Sequence, residues 1–257
     1  MSEAGIRTSG PGIRGNRTGL PLSEADSATL LAGYGVPFAP WGVAQDREEA
    51  AKVAGSIGYP VAVKVLVPGL AHKSDIGGVE LDLRTPRELE EAVGRIEARV
   101  SDAAPGGRTG FLVQRMAGAG LEMIAGAVRD PQFGPVVMIG LGGVYAELFD
   151  DVAFVLAPVF EANVMRGLGE LRSAALLGEV RGRRRRDVRA LVAVAQSLGR
   201  VLLERPDVLS IDVNPLVVLA EGEGCLAVDA LVEVSDRVEE PPARCPETAP
   251  ERPSEST

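Results

Sequence analysis

The stretch VAVKVLVPGLAHKSDIGGVELDL, residues 61–83, holds the only histidine of the chain, His72. It follows a strand-like run ending near Leu66, with Lys64 and Lys73 to either side, Asp75 beside it and Gly77–Gly78 beyond. Imidazole is partly unprotonated at neutral pH, so it is nucleophilic and can form covalent intermediates. A phosphoryl group on that ring would have lysine ammonium groups and glycine N–H groups nearby to hold it. From the residues alone, a phosphate carrier and an incidental loop histidine both stand.

A second group lies in SIDVNPLVVLAEGEGCLAVDALVEV. Asp212 and Asn214 are two apart and share a strand face. If AEGEG closes a hairpin, Asp229 falls within one residue of directly opposite Asn214. Two carboxylates and an amide oxygen suit Mg2+, which binds through few protein oxygens plus nucleotide phosphates; a solvated hairpin with polar residues outward is the alternative. Gly140–Gly143, GLGG, would let N–H groups of Gly142 and Gly143 approach phosphate, or would simply make a turn. Lys64 alternates into an apolar strand, where an ammonium needs a partner, phosphate or water at the strand end. Glu122 could accept from ribose hydroxyls or sit on a surface strand. The run RGRRRRD, Arg181–Asp187, precedes a helix and reads as a solvated loop or a partner contact.

The elements that must position these groups follow from pattern. Helices are expected at LSEADSATLLAGYG with Ser23 as N-cap, at DREEAAKVAGSIG, and at TPRELEEAVGRIEARV, where Thr85, Pro86 and Glu88 make a capping box. YPVAVKVL, GGVELDL, FLVQRM, LEMIAGAVRD, GPVVMIGLG and DVAFVLAPV read as strands. Two helical segments follow, ending in RDVRALVAVAQSLGRVLLE, and a final hairpin closes the chain. Strands grouped with helices, rather than alternating strictly, give an α+β architecture in two lobes. The Pro/Gly-rich SDAAPGGRTG marks the boundary between residues 22–107 and 108–238. Residues 1–21 and the Pro/Glu-rich 239–257 have little to bury and are expected to be disordered.

The 257 residues carry a net charge of −9, which speaks against a general nucleic-acid or membrane-surface role. No apolar run approaches the ~18 residues of a membrane span, and the N-terminal residues lack the apolar core of a secretory signal. Cys225 and Cys245 are too few for a disulfide framework, so reduced thiols in the cytoplasm are expected.

Taken together, GYPVAVKV, HKSDIGGVELDL, LVQRMAGAGLEMIAGAVRDPQFGPVVMIGLGGVYAELFDD and SIDVNPLVV with LAVDA resemble the ATP-grasp subunit of ADP-forming acetate–CoA ligases, the NDP-forming acyl-CoA synthetases. The chain is more distantly similar to the nucleotide-binding half of the succinyl-CoA synthetase β subunit. The resemblance runs from about Leu22 to Val238 and implies an ATP-grasp fold, two lobes enclosing ATP or ADP. It implies Lys64 at phosphate, the adenine hinge near Gln114 and Met116, Glu122 at ribose, and Asn214 and Asp229 at Mg2+. It also implies that His72 carries phosphate between nucleotide and a CoA-binding α subunit in a hetero-oligomer. Arg115, where an acidic residue is common, and RGRRRRD depart from the pattern. The CoA-binding region of fused members is not among the matched motifs, so acyl transfer is expected to need the α partner. A nucleotide-binding regulatory module and another ATP-grasp carboxylate ligase are the competing readings.

Overall fold

The computed structural model describes residues 19–66, 76–103, 110–143, 151–180 and 182–235. Eleven strands and five α-helices are formed among them.

Four strands build the smaller sheet: β2 (Trp41–Ala44), β3 (Val61–Leu66), β4 (Val79–Leu83) and β5 (Gly110–Arg115), in the order β2-β5-β3-β4. One face is covered by α2 (Arg47–Ile57) and α3 (Pro86–Ala103), which bury Ala50, Ala54, Leu89, Val93 and Ile96 against Val61, Val63, Val65, Phe111 and Val113. Side chains alternate along a strand, so Ala62, Lys64, Leu112 and Gln114 occupy the other face. The expected capping box starts α3: the Glu88 N–H donates to Thr85 Oγ1, and the Glu88 carboxylate reaches back to the Arg84 N–H.

The larger sheet contains seven strands in the order β1-β11-β9-β6-β7-β8, with β10 also on β9. These are β1 (Gly19–Pro21), β6 (Leu121–Asp130), β7 (Gly134–Leu141), β8 (Val152–Leu156), β9 (Val208–Val218), β10 (Cys225–Ala227) and β11 (Ala230–Ser235). Helices α1 (Glu24–Gly33), α4 (Glu161–Glu170) and α5 (Val188–Glu204) cover one face. In α5 the fully buried Leu191, Ala195, Leu198 and Leu202 recur every three or four residues, the stripe a core-facing helix needs.

Lobe membership interleaves along the chain. β5 follows the 107/108 boundary yet pairs within the smaller sheet, the same lobe that α3 covers. α1 precedes that boundary yet packs on the larger sheet.

Two expectations are corrected. Gly19–Pro21, assigned to a disordered segment, form β1 and pair antiparallel with Ser235–Glu233. That strand rests on backbone hydrogen bonds, which composition does not report. The final apolar run, expected as one strand, is broken between β10 and β11 at Val228–Asp229, opposite Pro215 and Asn214. Pro215 has no N–H to give the ladder. The expected disorder of residues 1–18 and 239–257 concerns positions outside the described residues.

Asp187 ties the far end of the larger lobe together. Its carboxylate accepts from the N–H of Ala190 at 3.1 Å, capping α5, and from Gly222 and Gly224 at 2.9 and 3.0 Å in the β9–β10 turn. Burial alone would raise its pKa, but these N–H groups outweigh it and hold the carboxyl below the ordinary range. Asp187→Ala should therefore lower unfolding free energy by about 1–3 kcal/mol at pH 7 in urea titrations. An acid depressed in the folded state contributes stability above its unfolded pKa. The gap to wild type should accordingly shrink as pH falls below about 4.

Candidate functional site

Lys64 joins the two lobes. Its Nζ lies 2.6 Å from Glu24 Oε1, on α1, and 3.0 Å from the carbonyl oxygen of Val228, in the gap between β10 and β11. Lys64 is 6% exposed and Glu24 8%, so this ion pair is shielded from water. Lys64 therefore takes neither a water-exposed strand end nor an unpaired burial. An ammonium has three N–H donors, and two are used here, which leaves the third available to an anion.

Val228 immediately precedes Asp229. The Asn214 N–H donates to the Asp229 carbonyl at 3.2 Å, and the Val228 N–H to Pro215 at 3.1 Å. Asp229 thus lies directly opposite Asn214, the register that brings them together. Asp212 shares the face of Asn214, turned away from the core residues Ile211 and Val213. Its Oδ1 is buried and finds no hydrogen-bond partner among the described residues. Burial, and then the charge of Asp229, push the Asp212 carboxyl up to about 6. An orphaned carboxylate repelled by a second one fits a divalent cation. No group of three or more His, Cys, Asp or Glu side chains is arranged for a metal among the described residues. Two carboxylates and the Asn214 amide match an ion that takes its other ligands from phosphate and water.

Glu122 is exposed on β6, opposite Val217. Val217 is three residues along β9 from Asn214, roughly 10 Å at strand rise. A Cβ on Gly143 would come within 2.4 Å of Glu122 Oε2, and Gly143 has φ +68°, so glycine alone lets that carboxylate lie there. A Cβ on Gly142 would strike the Met123 backbone at 2.5 Å. Its N–H is donated to the Glu122 carbonyl at 2.9 Å. GLGG is thus shaped by close strand approach, with Gly143 serving Glu122.

On the smaller sheet, Gln114 is 3% exposed, and its Oε1 is a second buried acceptor without a partner among the described residues. Gln114 pairs with Ala62 as Leu112 pairs with Lys64, so Gln114 and Lys64 are diagonal neighbours on the face opposite the helices, roughly 7–8 Å apart. Met116 follows, its N–H donated to Pro60 at 2.9 Å, and Arg115 is exposed. His72 lies outside the described residues. Cys225 is buried, and burial together with the Asp187 charge pushes its thiol up to about 12, which makes it inert.

Sequence reasoning missed Glu24 and Val228. Glu24 reads as an ordinary first-turn acid beside the Ser23 cap. The available signal was Lys64 itself, since a lysine inside an apolar strand demands a partner from elsewhere.

The model of the ATP-grasp domain matches residues 15–234. The β subunit of acetate–CoA ligase (ADP-forming) I from Pyrococcus furiosus is 37% identical over 211 residues, 82% of this chain and 90% of that protein. Acetate–CoA ligase (ADP-forming) I from Archaeoglobus fulgidus is 39% identical over 77% of this chain, which spans only 29% of that longer protein. The dinucleotide-forming acetyl-coenzyme A synthetase 1 of Ca. Korarchaeum cryptofilum, solved with coenzyme A and Ca-AMPCP, superposes with a TM-score of 0.79 at 36% identity, covering 83% of this chain and 93% of that one. Another structure of it holds coenzyme A and Mg-AMPPCP with the phosphohistidine segment pointing towards the nucleotide binding site; its TM-score is 0.73 at 34% identity, over 83% and 92% of the two chains.

Glu24→Ala would strand a buried ammonium and should cost about 3–5 kcal/mol in denaturant unfolding, whereas replacing both Lys64 and Glu24 with methionine should recover most of that loss. Asp212, with its carboxyl raised when folded, favours the folded state when protonated. Stability should fall by about 2–3 kcal/mol as pH rises from about 4 to about 6. Asp212→Asn should flatten that profile.

Proposed function

Because this chain belongs to the ATP-grasp domain family, we propose that it is the nucleotide-binding subunit of an ADP-forming acyl-CoA synthetase, working with a CoA-binding α subunit in the cytoplasm. The observation that carries this reading is the junction at Lys64. One side chain of the smaller lobe reaches the backbone beside Asp229, which faces Asn214 on the larger lobe.

A nucleotide laid across this junction meets a graded set of partners. The base lies by Gln114, whose Oε1 has no partner among the described residues, and by Met116 just past β5. Ribose hydroxyls donate to Glu122, held by Gly143. Phosphate oxygens accept the remaining Lys64 N–H, while Glu24 and Val228 keep the ammonium from swinging away. Asn214, Asp229 and Asp212 would hold Mg2+, which when bound offsets phosphate charge. His72 attacks the γ-phosphorus of ATP through a ring nitrogen. The bond from that phosphorus to the β–γ bridging oxygen breaks, and ADP leaves with the electron pair. In the opposite direction, phosphohistidine delivers its phosphoryl group to ADP. On the α subunit the phosphoryl group passes from histidine to a carboxylate oxygen, giving an acyl phosphate, and the CoA thiolate then attacks the acyl carbon and releases phosphate; the reverse runs from acyl-CoA, phosphate and ADP to ATP. The 37% identity to a Pyrococcus furiosus protein named as a β subunit supports an α partner.

Incubation with γ-labelled ATP and Mg2+ should leave acid-labile, alkali-stable label on the protein. His72→Ala should abolish the label while still binding ATP in calorimetry; equal labelling of the variant would refute the carrier role. Asp229→Asn should weaken Mg-dependent nucleotide binding about tenfold or more, with binding measured without Mg2+ changing much less.

A further inference from the structure

Residues 182–187 of the arginine run are held at several backbone points. Val180 and Arg183 form an antiparallel bridge, and the Arg183 N–H donates to the Val180 carbonyl at 2.9 Å. The Arg186 N–H donates to Leu177 at 3.0 Å, and the Arg185 carbonyl accepts from Glu221 at 2.9 Å. Asp187 then clamps the β9–β10 turn. Both flanks of the segment are fixed, so its guanidinium groups are displayed from a held backbone.

Two adjoining cavities, about 610 and 510 Å³, open beside it, and both are lined by Arg183 and Arg186. Leu121, Leu176 and Val180 form an apolar wall of the first. Arg184, in the second, is neutralised by Glu223 at 2.5 Å. Neither Arg183 nor Arg186 has an acidic partner among the described residues, whereas Arg184 between them does. Leu121 and Glu122 are consecutive on β6 and point to opposite faces, so these cavities lie on the helix side of the sheet, away from the nucleotide groups.

We infer that this groove is a second binding site, for a small organic anion bearing a phosphate group on an apolar body. Paired guanidinium groups suit phosphate because their planar forks donate two hydrogen bonds each. The wall of Leu121, Leu176 and Val180 supplies the apolar half, and the volumes match those of small-molecule sites.

The test is calorimetry on the full chain with two probes, phenyl phosphate and inorganic phosphate. Phenyl phosphate should bind more tightly than inorganic phosphate, and its affinity should be unchanged when Mg·ADP is present. Arg183→Ser with Arg186→Ser should weaken it about 10- to 100-fold. Leu176→Asp, at an already exposed position, should weaken it about tenfold or more by placing a carboxylate in the groove, and serves should the double variant not fold. Displacement of phenyl phosphate by Mg·ADP would place it in the nucleotide cleft and overturn the inference. Equal affinity for the two probes would overturn the apolar half. No binding of phenyl phosphate would overturn the whole and leave the groove to an acidic protein segment.

Discussion

Everything in the site hangs from one buried ammonium. Lys64 cannot be dehydrated on the smaller sheet without a counter-charge. The charge comes from Glu24 on the other lobe, with a backbone carbonyl from the same lobe completing the contact. That requirement makes the lobes close on each other at one defined point. It also brings the ammonium to the gap beside Asp229. Asp212 Oδ1 there, and Gln114 Oε1 farther along the smaller sheet, have no hydrogen-bond partner among the described residues.

The geometry of the larger sheet serves the same end. Pro215 interrupts the ladder where β10 passes to β11, and the interruption places Val228 and Asp229 at the junction. Farther along β9, the glycines after β7 admit the Glu122 carboxylate to a place that any side chain would block. Strand spacing then sets the separation between Glu122 and the Asn214–Asp229 pair. The arginine groove sits on the reverse of the same sheet and is built by the same turn that Asp187 pins.

Much of this was legible in the residues. Periodicity located the helices and most strands, because alternation and three-to-four spacing report burial directly. Turn length placed Asp229 within one residue of directly opposite Asn214 and left the register open. The interleaving of lobes was not legible, since a Pro/Gly-rich loop looks the same inside a lobe as between lobes. β1 was hidden because its hydrogen bonds are made by backbone. Glu24 was hidden because its partner lies forty residues away in sequence, and no local pattern links a first-turn acid to a strand lysine. The hold on the arginine run was hidden for the same reason: the Arg185 carbonyl accepts from Glu221, far along the chain.

A crystal structure of the chain with Mg·AMPPCP tests the central claim most directly. It should show phosphate oxygens on Lys64 Nζ with the Glu24 contact retained, the metal on Asn214 and Asp229, and ribose on Glu122. Nucleotide density away from Lys64, or a cation that touches neither Asn214 nor Asp229, would contradict the account.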